Sequence, residues 1–351
     1  MSIVYVGTYT REGSKGIYAF EVNVDTGKLA PLGVAAETTN PSFLALGPDG
    51  RSLYAAGEQG GPDGATVSAF ALQEGTHELK ALGGRSTGGG GACHVTTDRA
   101  GKVAFAANYG GGSFAAFPVR DDGSLGERTG FVQHEGSGAN PKRQEKPHCH
   151  SVNVTPDDRL LLVADLGIDH VMAYAIDHDA ATVELAEASC ITTVPGAGPR
   201  HVTFHPNGRI MFLINELNGT MSSYTYDAGA GTFTEVSTLP TLPEDFDGDN
   251  LTADVHASPD GRFVYGTNRG HNSVAVFGVD EQTGLMAYED RVPCGGDHPR
   301  NFAVVADGRF VLVANQNTSN IVTFARDAGT GRITPTGDEV EVSMPVCVIE
   351  G

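Results

Sequence analysis

One pattern recurs along the chain: an apolar strand, a tight turn and a second apolar strand that ends in a polar residue. An example is "RHVTFHPNGRIMFLINEL", which starts at Arg200. The six copies begin at Pro41, Cys93, His150, Arg200, Ala253 and Arg300. Their turn residues are Gly50, Gly101, Asp158, Gly208, Gly261 and Gly308, roughly 50 residues apart. Two more strands follow each hairpin, and four antiparallel strands per repeat of this length are typical of a β-propeller blade.

The two ends of the chain supply one further blade. The segment "IVYVGTYTREGSKGIYAFEV" matches the second and third strands of a repeat, and "VSMPVCVIE" matches the missing first strand. We therefore predict an all-β fold: a single seven-bladed β-propeller domain over residues 1–351, with the last blade closed by N- and C-terminal strands. This closure removes free sheet edges. A pair of β-sandwiches or a solenoid would not explain the split repeat.

Composition excludes several classes of function. The chain carries a formal net charge of −20, which would repel a nucleic acid. It has no apolar run of about 18 residues, and its N-terminus lacks the features of a signal peptide. Five cysteines without CxxC spacing suit a reducing compartment. We expect a cytoplasmic monomer that binds neither nucleic acid nor a membrane.

The hairpins place two side chains of each blade at one mouth of the central channel. If the turn residue is position 0, positions −8 and +8 both lie at the end of the hairpin away from the turn. Position −8 holds Ser42, Cys93, His150, Arg200, Ala253 and Arg300. Position +8 holds Glu58, Tyr109, Leu166, Glu216, Arg269 and Gln316. Close to these in sequence are His94, His148, His201, Asp254 and His256, and Tyr9 belongs to the closing blade. Position +7 is Asn or Asp in five of the six repeats, which is typical of local turn hydrogen bonding.

Three arginines at this mouth are unusual in so acidic a chain. Arg200, Arg269 and Arg300 come from three successive repeats. Guanidinium groups bind phosphate and carboxylate in bidentate fashion, so the three form a candidate anion clamp. The alternative is that each arginine pairs with a neighbouring acid as part of blade packing.

The segment "KPHCHSV" places Lys146, His148 and His150 beside the arginines. His148 and His150 should face the same side of an extended strand. The pair could supply acid–base catalysis, fill the channel, or bind a metal with the help of Asp254 and His256. Metal binding is the least favoured because the arginines would repel a cation, and we expect no cofactor. Glu216 should be ionised, and it could either activate water or hold an arginine in place.

Four long segments resemble the propeller lactonases, a family that includes bacterial 6-phosphogluconolactonases and fungal carboxy-cis,cis-muconate cyclases. They are "KPHCHSVNVTPDDRLLLVADLGIDHV", "GPRHVTFHPNGRIMFLINELNGT", "SPDGRFVYGTNRGHNSVAVF" and "HPRNFAVVADGRFVLVANQNTSNIVTF". The opening "YVGTYT" extends the resemblance over essentially the whole chain. It implies a seven-bladed propeller that needs no metal and has its active site at the mouth of the channel. The proposed cyclase site of the family falls by motif on His148, Glu216, Arg200 and Arg269.

The sequence therefore predicts hydrolysis of 6-phosphoglucono-1,5-lactone, a step of the pentose phosphate route, by His148, Glu216, Arg200 and Arg269. His150, Arg300, Lys146, His94, Asp254 and Tyr9 are expected to bind the substrate. The acidic segment 242–250 is expected to form a loop at the rim of the mouth. Two alternatives stay open at this point. One is a cycloisomerase or hydrolase that acts on a polycarboxylate lactone, and the other is a non-catalytic propeller that binds a phosphosugar or serves as a scaffold.

Overall fold

The computed structural model describes residues 2–59 and 64–351, which form seven antiparallel sheets. The six hairpin repeats give six sheets, here called blades 1 to 6 in chain order. Blade 7 combines the two ends of the chain, as the split repeat predicts. The seven-bladed β-propeller is thus confirmed.

The four strands of a blade pair in order from the channel outwards. The first strands are β4 (Pro41–Leu46), β8 (Ala92–Thr97), β12 (Cys149–Val154), β17 (Pro199–Phe204), β21 (Leu251–Ala257), β25 (Pro299–Val305) and β29 (Pro345–Glu350). The second strands are β5 (Ser52–Gly57), β9 (Val103–Asn108), β13 (Leu160–Asp165), β18 (Ile210–Asn215), β22 (Phe263–Arg269), β26 (Phe310–Asn315) and β1 (Ser2–Thr8).

The outer two layers complete each blade. The third strands are β6 (Thr66–Leu72), β10 (Ser113–Pro118), β14 (His170–Asp177), β19 (Thr220–Asp227), β23 (Ser273–Val279), β27 (Asn320–Arg326) and β2 (Gly16–Val22). The fourth strands are β7 (Leu79–Ser86), β11 (Gly130–Gln133), β15 (Thr182–Leu185), β20 (Thr232–Pro240), β24 (Met286–Pro293), β28 (Ile333–Glu341) and β3 (Leu29–Glu37). In blade 3 a 3₁₀ turn (Glu187–Ser189) leads to the short strand β16 (Ile191–Thr192), which also pairs with β14.

The second strands explain why the blades must stack. Every residue of β5, β9, β13, β18, β22 and β26 is buried, because a neighbouring blade covers each face of the sheet. The buried apolar side chains form seven clusters, one at each interface between adjacent blades. A core of this kind is complete only when the ring is closed.

The hairpin geometry agrees with the repeat pattern. All six turn residues have a positive φ, from 62° at Asp158 to 82° at Gly308. Glycine adopts this conformation without steric cost, and aspartate is among the side chains that tolerate it. The seven first strands contact one another in a ring around the channel. Within residues 2–59 and 64–351, no helix has the length and apolar character needed to span a membrane.

The closing strand β29 pairs with β1 and should therefore control the stability of the whole ring. Val348 is only 5% exposed and packs in the cluster between blades 6 and 7. We expect Val348→Ala to lower the free energy of unfolding by about 1–3 kcal/mol, because it removes buried methyl groups and leaves a cavity. The matched control is Val194→Ala at a valine that is 63% exposed, where the expected change is within about 0.5 kcal/mol. Urea unfolding of both variants measures the difference, and equal effects would contradict this role of β29.

Candidate active site

Each side chain at position −8 lies in a β-bulge of its first strand. In blade 4, Pro199 pairs with Asn215 and His201 pairs with Ile214, so Arg200 has no partner on β18. The same irregularity occurs in the first strands of all seven blades, and in blades 1 to 6 it includes the residue at position −8. A bulge bends the strand and re-aims the extra side chain. In blades 1 to 6 the bulge thus interrupts the regular alternation of side chains at the end of the hairpin away from the turn.

Glu216 is the centre of a charged cluster that joins blades 4 and 5 and a loop. Its Oε2 atom lies 3.0 Å from Nε of Arg200 and 2.7 Å from a terminal nitrogen of Arg269. Its Oε1 atom lies 2.5 Å from a terminal nitrogen of Arg143. Glu216 is 2% exposed and Arg200 is 1% exposed. We call Arg143, Arg200, Glu216 and Arg269 the arginine cluster.

The arginines determine the ionisation of Glu216. Burial alone would raise the pKa of this carboxyl, but Arg269, Arg200 and Arg143 outweigh burial and hold the pKa far below its usual range. Burial lowers the pKa of Arg200, and repulsion by Arg269 and Arg300 lowers it further. Removing one charged member of such a buried group leaves part of the remaining charge without a counter-charge and lowers the free energy of unfolding.

Two histidines and a tyrosine form the wall beside the cluster. Nε2 of His150 lies 3.9 Å from Oε2 of Glu216. The ring of Tyr109 stacks on His148 at 4.5 Å and meets the edge of His150 at 5.4 Å. Nδ1 of His148 lies 2.9 Å from the Tyr109 carbonyl oxygen, and its Nε2 lies 3.3 Å from a carboxylate oxygen of Glu145. His150 therefore lies against the arginine cluster, while His148 faces the Glu145 carboxylate.

His150 is neutral near pH 7. Burial, followed by repulsion from Arg200 and other cationic neighbours, holds its pKa well below the usual value. Its Nδ1 atom is buried and has no hydrogen-bond partner among the described residues. A neutral imidazole with a free nitrogen can accept a proton.

Arg300, Glu58 and Tyr9 form a second group at the mouth. The Tyr9 hydroxyl donates a hydrogen bond of 2.8 Å to Glu58. A terminal nitrogen of Arg300 lies 3.9 Å from the same carboxylate, and the guanidinium carbon lies 5.5 Å from the centre of the Tyr9 ring. Burial opposes the charge of Arg300, but Tyr9 and Glu58 raise its pKa. Arg300 makes no hydrogen bond of normal length to the described residues, so its donors remain available.

Three of the residues expected to bind substrate have other contacts. Lys146 is exposed, and its ammonium group donates a hydrogen bond of 2.8 Å to the Gly110 carbonyl. His94 is buried and stacks on Phe43 at 3.8 Å between the ring centroids. Asp254 is buried and accepts hydrogen bonds from the side chains of its neighbours. No hydrogen bond or ion pair among the described residues joins Lys146, His94 or Asp254 directly to the arginine cluster.

Sequence reasoning missed Arg143, which covers Glu216 from a connecting loop. This loop runs from His134 to His148 between β11 and β12, outside the positions of the hairpin repeat. Buried Gln144 anchors it through hydrogen bonds to the Leu166 carbonyl and to Asp169. The available signal was the unusual length of this connection together with its basic residues Lys142 and Arg143.

Groups that could hold a metal lie outside the arginine cluster. In the part of the chain that the structure describes, three potential ligands converge at His134, Cys149 and Asp165, and again at Asp98, Asp158 and His178. In the first group, Nδ1 of His134 lies 2.7 Å from Oδ2 of Asp165, and the Cys149 sulfur lies 3.3 Å from both atoms. Hydrogen bonding within the group accounts for this arrangement, and neither group includes a residue predicted for the active site.

The arginine cluster should contribute to stability in a pH-dependent way. We expect Glu216→Gln to lower the free energy of unfolding at pH 7 by about 3–5 kcal/mol, because three guanidinium groups lose their shared counter-charge. The folded-state pKa of Glu216 is depressed below its ordinary value of 4.5, so its contribution is present above that pH and is lost as the pH falls towards the folded-state pKa. The difference between wild type and variant should therefore shrink between pH 7 and pH 3 in urea unfolding.

The exposed pair of Lys15 and Glu37 provides the control for this comparison, because both side chains are largely solvated. Glu37→Gln should change the free energy of unfolding by less than about 1 kcal/mol. A Glu216→Gln variant as stable as wild type at pH 7 would contradict the stabilising role of the carboxylate.

Comparisons with known proteins agree with the seven-bladed fold. Residues 3–350 match the family model described as lactonase, seven-bladed β-propeller. The chain is 37% identical over 346 residues to the 6-phosphogluconolactonase of Bacillus subtilis strain 168, with 99% of this chain and 97% of the relative covered. It is 33% identical over 344 residues to the 6-phosphogluconolactonase of Formosa agariphila, with 97% of each chain covered. The solved structure of a periplasmic gluconolactonase from Pseudomonas aeruginosa superposes with a TM-score of 0.94 at 34% identity, with 99% of this chain and 98% of that chain covered. The chain therefore belongs to the seven-bladed β-propeller lactonase family.

Proposed function

We propose that this protein hydrolyses 6-phosphoglucono-1,5-lactone to 6-phosphogluconate. The relatives from Bacillus subtilis and Formosa agariphila carry the name of this activity. The main structural support is the arginine cluster, in which cationic groups from two blades and a loop converge on one buried carboxylate beside a neutral histidine. Guanidinium groups can donate hydrogen bonds both to the ester carbonyl oxygen of a phosphorylated lactone and to its phosphate.

Arg200 and Arg269 are suited to stabilise the charge that develops on the lactone carbonyl oxygen. Nε of Arg269 is buried without a hydrogen-bond partner among the described residues, so this arginine has spare donor capacity. Glu216 fixes both guanidinium groups before the substrate arrives. A well-placed donor at a developing oxyanion contributes roughly 3–4 kcal/mol to catalysis.

His150 is the residue that we assign as the general base. It removes a proton from water while the water oxygen attacks the lactone carbonyl carbon. When the bond between this carbon and the ring oxygen breaks, the imidazolium returns the proton to the ring oxygen. Glu216 is less suited to this role because three guanidinium groups stabilise its charged form and weaken it as a base. His148, the histidine indicated by family motif, is the alternative, and its Nε2 lies 3.3 Å from the Glu145 carboxylate.

Arg300 is the residue that we assign to the phosphate. Its contact with Glu58 is long, and the aromatic face of Tyr9 supports the cation without using its donors. Arginine matches the geometry of a phosphate group better than the exposed ammonium of Lys146.

A second candidate substrate is unphosphorylated gluconolactone. The observation that favours it is the close structural match to the Pseudomonas aeruginosa gluconolactonase. The reaction at the arginine cluster would be the same for both lactones, and only the need for Arg300 would differ.

Substrate choice can be tested with freshly prepared lactones, followed by proton release and corrected for spontaneous opening. We expect Arg300→Ala to reduce kcat/KM for the phosphorylated lactone by about 30- to 150-fold, since a charge-assisted contact of about 2–3 kcal/mol is lost. Hydrolysis of unphosphorylated gluconolactone should change little. Arg332→Ala, at an exposed arginine that precedes β28, is the matched control. Equal losses on both lactones would contradict the phosphate role, and no acceleration by wild type on either lactone would refute the proposed function.

The base can be identified from a pH profile of three variants. Loss of a general base costs about 10²–10⁴-fold in rate, so His150→Asn should reduce kcat by that factor. Because the pKa of His150 is depressed, wild-type kcat/KM should stay high below pH 6.5 and fall only at more acidic pH. The comparison includes His148→Asn and Glu216→Gln. Full activity of His150→Asn together with loss in His148→Asn would assign the base to His148 instead.

A further inference from the structure

Below the arginine cluster, an unbroken chain of hydrogen bonds leads into the channel. A terminal nitrogen of Arg200 lies 3.1 Å from Nε2 of His201, and Nδ1 of His201 lies 2.7 Å from Oδ1 of Asp254. All three side chains are buried. The same Arg200 nitrogen also donates to the Ala253 carbonyl oxygen. Neither His201 nor Asp254 contacts Glu216, and the mechanism above uses neither residue.

We infer that His201 and Asp254 are positioning residues, which hold Arg200 against Glu216 by keeping His201 in a single tautomer. This inference rests on the proposed function only for its effect on lactone hydrolysis. The hydrogen-bond chain itself is independent of the substrate.

The tautomer of His201 follows from its two partners. The Arg200 guanidinium can only donate, so Nε2 of His201 must accept. The Asp254 carboxylate accepts, so Nδ1 of His201 must carry the hydrogen. Burial, followed by the charge of Arg200, lowers the pKa of His201 to about 4, so the ring stays neutral near pH 7. A neutral ring in this tautomer fits both neighbours, and the other tautomer would point two donors at each other.

Asp254 is itself held in one orientation. Its Oδ2 atom accepts hydrogen bonds from the Asn301 side-chain amide at 2.5 Å, from the Phe302 backbone at 3.3 Å and from Nε2 of His256 at 2.9 Å. The orientation of the Asn301 amide is fixed in turn, because its oxygen accepts a hydrogen bond from the backbone of Val348. Only Oδ1 of Asp254 is therefore left for His201.

This arrangement makes Asp254→Asn an informative variant. The oxygen of the new amide must occupy the Oδ2 position, where Asn301 and the Phe302 backbone both donate. The amide NH₂ group then faces Nδ1 of His201 and forces that nitrogen to accept. The hydrogen of His201 moves to Nε2, where it faces the donor of Arg200 across 3.1 Å. Arg200 loses an acceptor and shifts from its place beside Glu216.

The first measurement is ¹⁵N NMR of histidine-labelled protein, which distinguishes a protonated ring nitrogen from an unprotonated one. The His201 signal is assigned by its absence in His201→Leu. We expect Nε2 to be unprotonated in wild type and protonated in Asp254→Asn. An unchanged tautomer in Asp254→Asn would overturn the inference, and this result does not depend on the identity of the substrate.

The second measurement is a double-mutant cycle on lactone hydrolysis. Asp254→Asn should reduce kcat by about 10²-fold, which is the effect of a small misplacement of a catalytic group. In the His201→Leu background, Asp254→Asn should reduce kcat by a much smaller factor, because the residue that connects Asp254 to Arg200 is absent. His201→Gln should retain more activity than His201→Leu, since its amide oxygen can accept from Arg200. If Asp254→Asn reduced kcat by the same factor in wild type and in His201→Leu, the inference would be overturned.

His205 provides the matched control, because it is a buried histidine next to the end of the same strand. Its Nε2 lies 2.8 Å from the Gly261 carbonyl oxygen, so it belongs to the hairpin turn region. His205→Gln should leave both kcat and the His201 tautomer unchanged. A loss of kcat in this control equal to that in Asp254→Asn would show that any buried polar change in the channel has the same effect, and would overturn a specific role for Asp254.

Discussion

The burial of each second strand on both faces determines the architecture of this protein. A single sheet of this kind cannot remain in water, because each of its faces exposes apolar side chains. Adjacent blades cover these faces, and the seven clusters between them form a closed circuit. The circular arrangement then brings the same end of every hairpin to one mouth. The site is thus a geometric consequence of how the core is buried.

The bulges change the direction of individual side chains in the first strands. A regular first strand would alternate its side chains between the two faces of the blade, and few of them would reach the channel. The extra residue in each bulge changes this alternation at the mouth. In blade 4 it allows consecutive residues to act together, because Arg200 reaches Glu216 while His201 lies beneath Arg200. The local irregularity is therefore the structural basis of the arginine cluster.

Arginines are concentrated at the mouth, whereas the chain as a whole is acidic. The protein has a formal net charge of −20, yet its mouth collects arginines around a single glutamate. Glu216 reduces the repulsion among them and keeps them in place. The excess of acidic residues elsewhere would repel an anionic substrate from the outer surface, so the mouth is the region where such a substrate is attracted.

The hairpin repeats predict the blades, the closing blade and the meeting of Arg200, Glu216 and Arg269, because these depend only on strand direction and spacing. The position of Arg143 could not be predicted from the repeat. The contacts of Gln144 set the path of the loop before β12, and this loop lies outside the repeat. Substrate binding by Asp254 stays a prediction, and in the structure its carboxylate accepts hydrogen bonds from His201 and Asn301. Sequence spacing locates a residue along a strand and does not identify the partners of its side chain. The cytoplasmic location and the monomeric state stay predictions.

The backbone of Val348 in the closing strand donates to Asn301, and Asn301 donates to Asp254 beneath Arg200. During synthesis on the ribosome, β29 is the last of the seven first strands to emerge. Until it docks, the Asn301 amide lacks the partner that orients it, and the support of Arg200 is incomplete. A nascent chain with six finished blades would thus hold nearly all the residues of the mouth without their final arrangement. The ring closure that completes the core also completes the site, so the onset of activity would report that folding has finished.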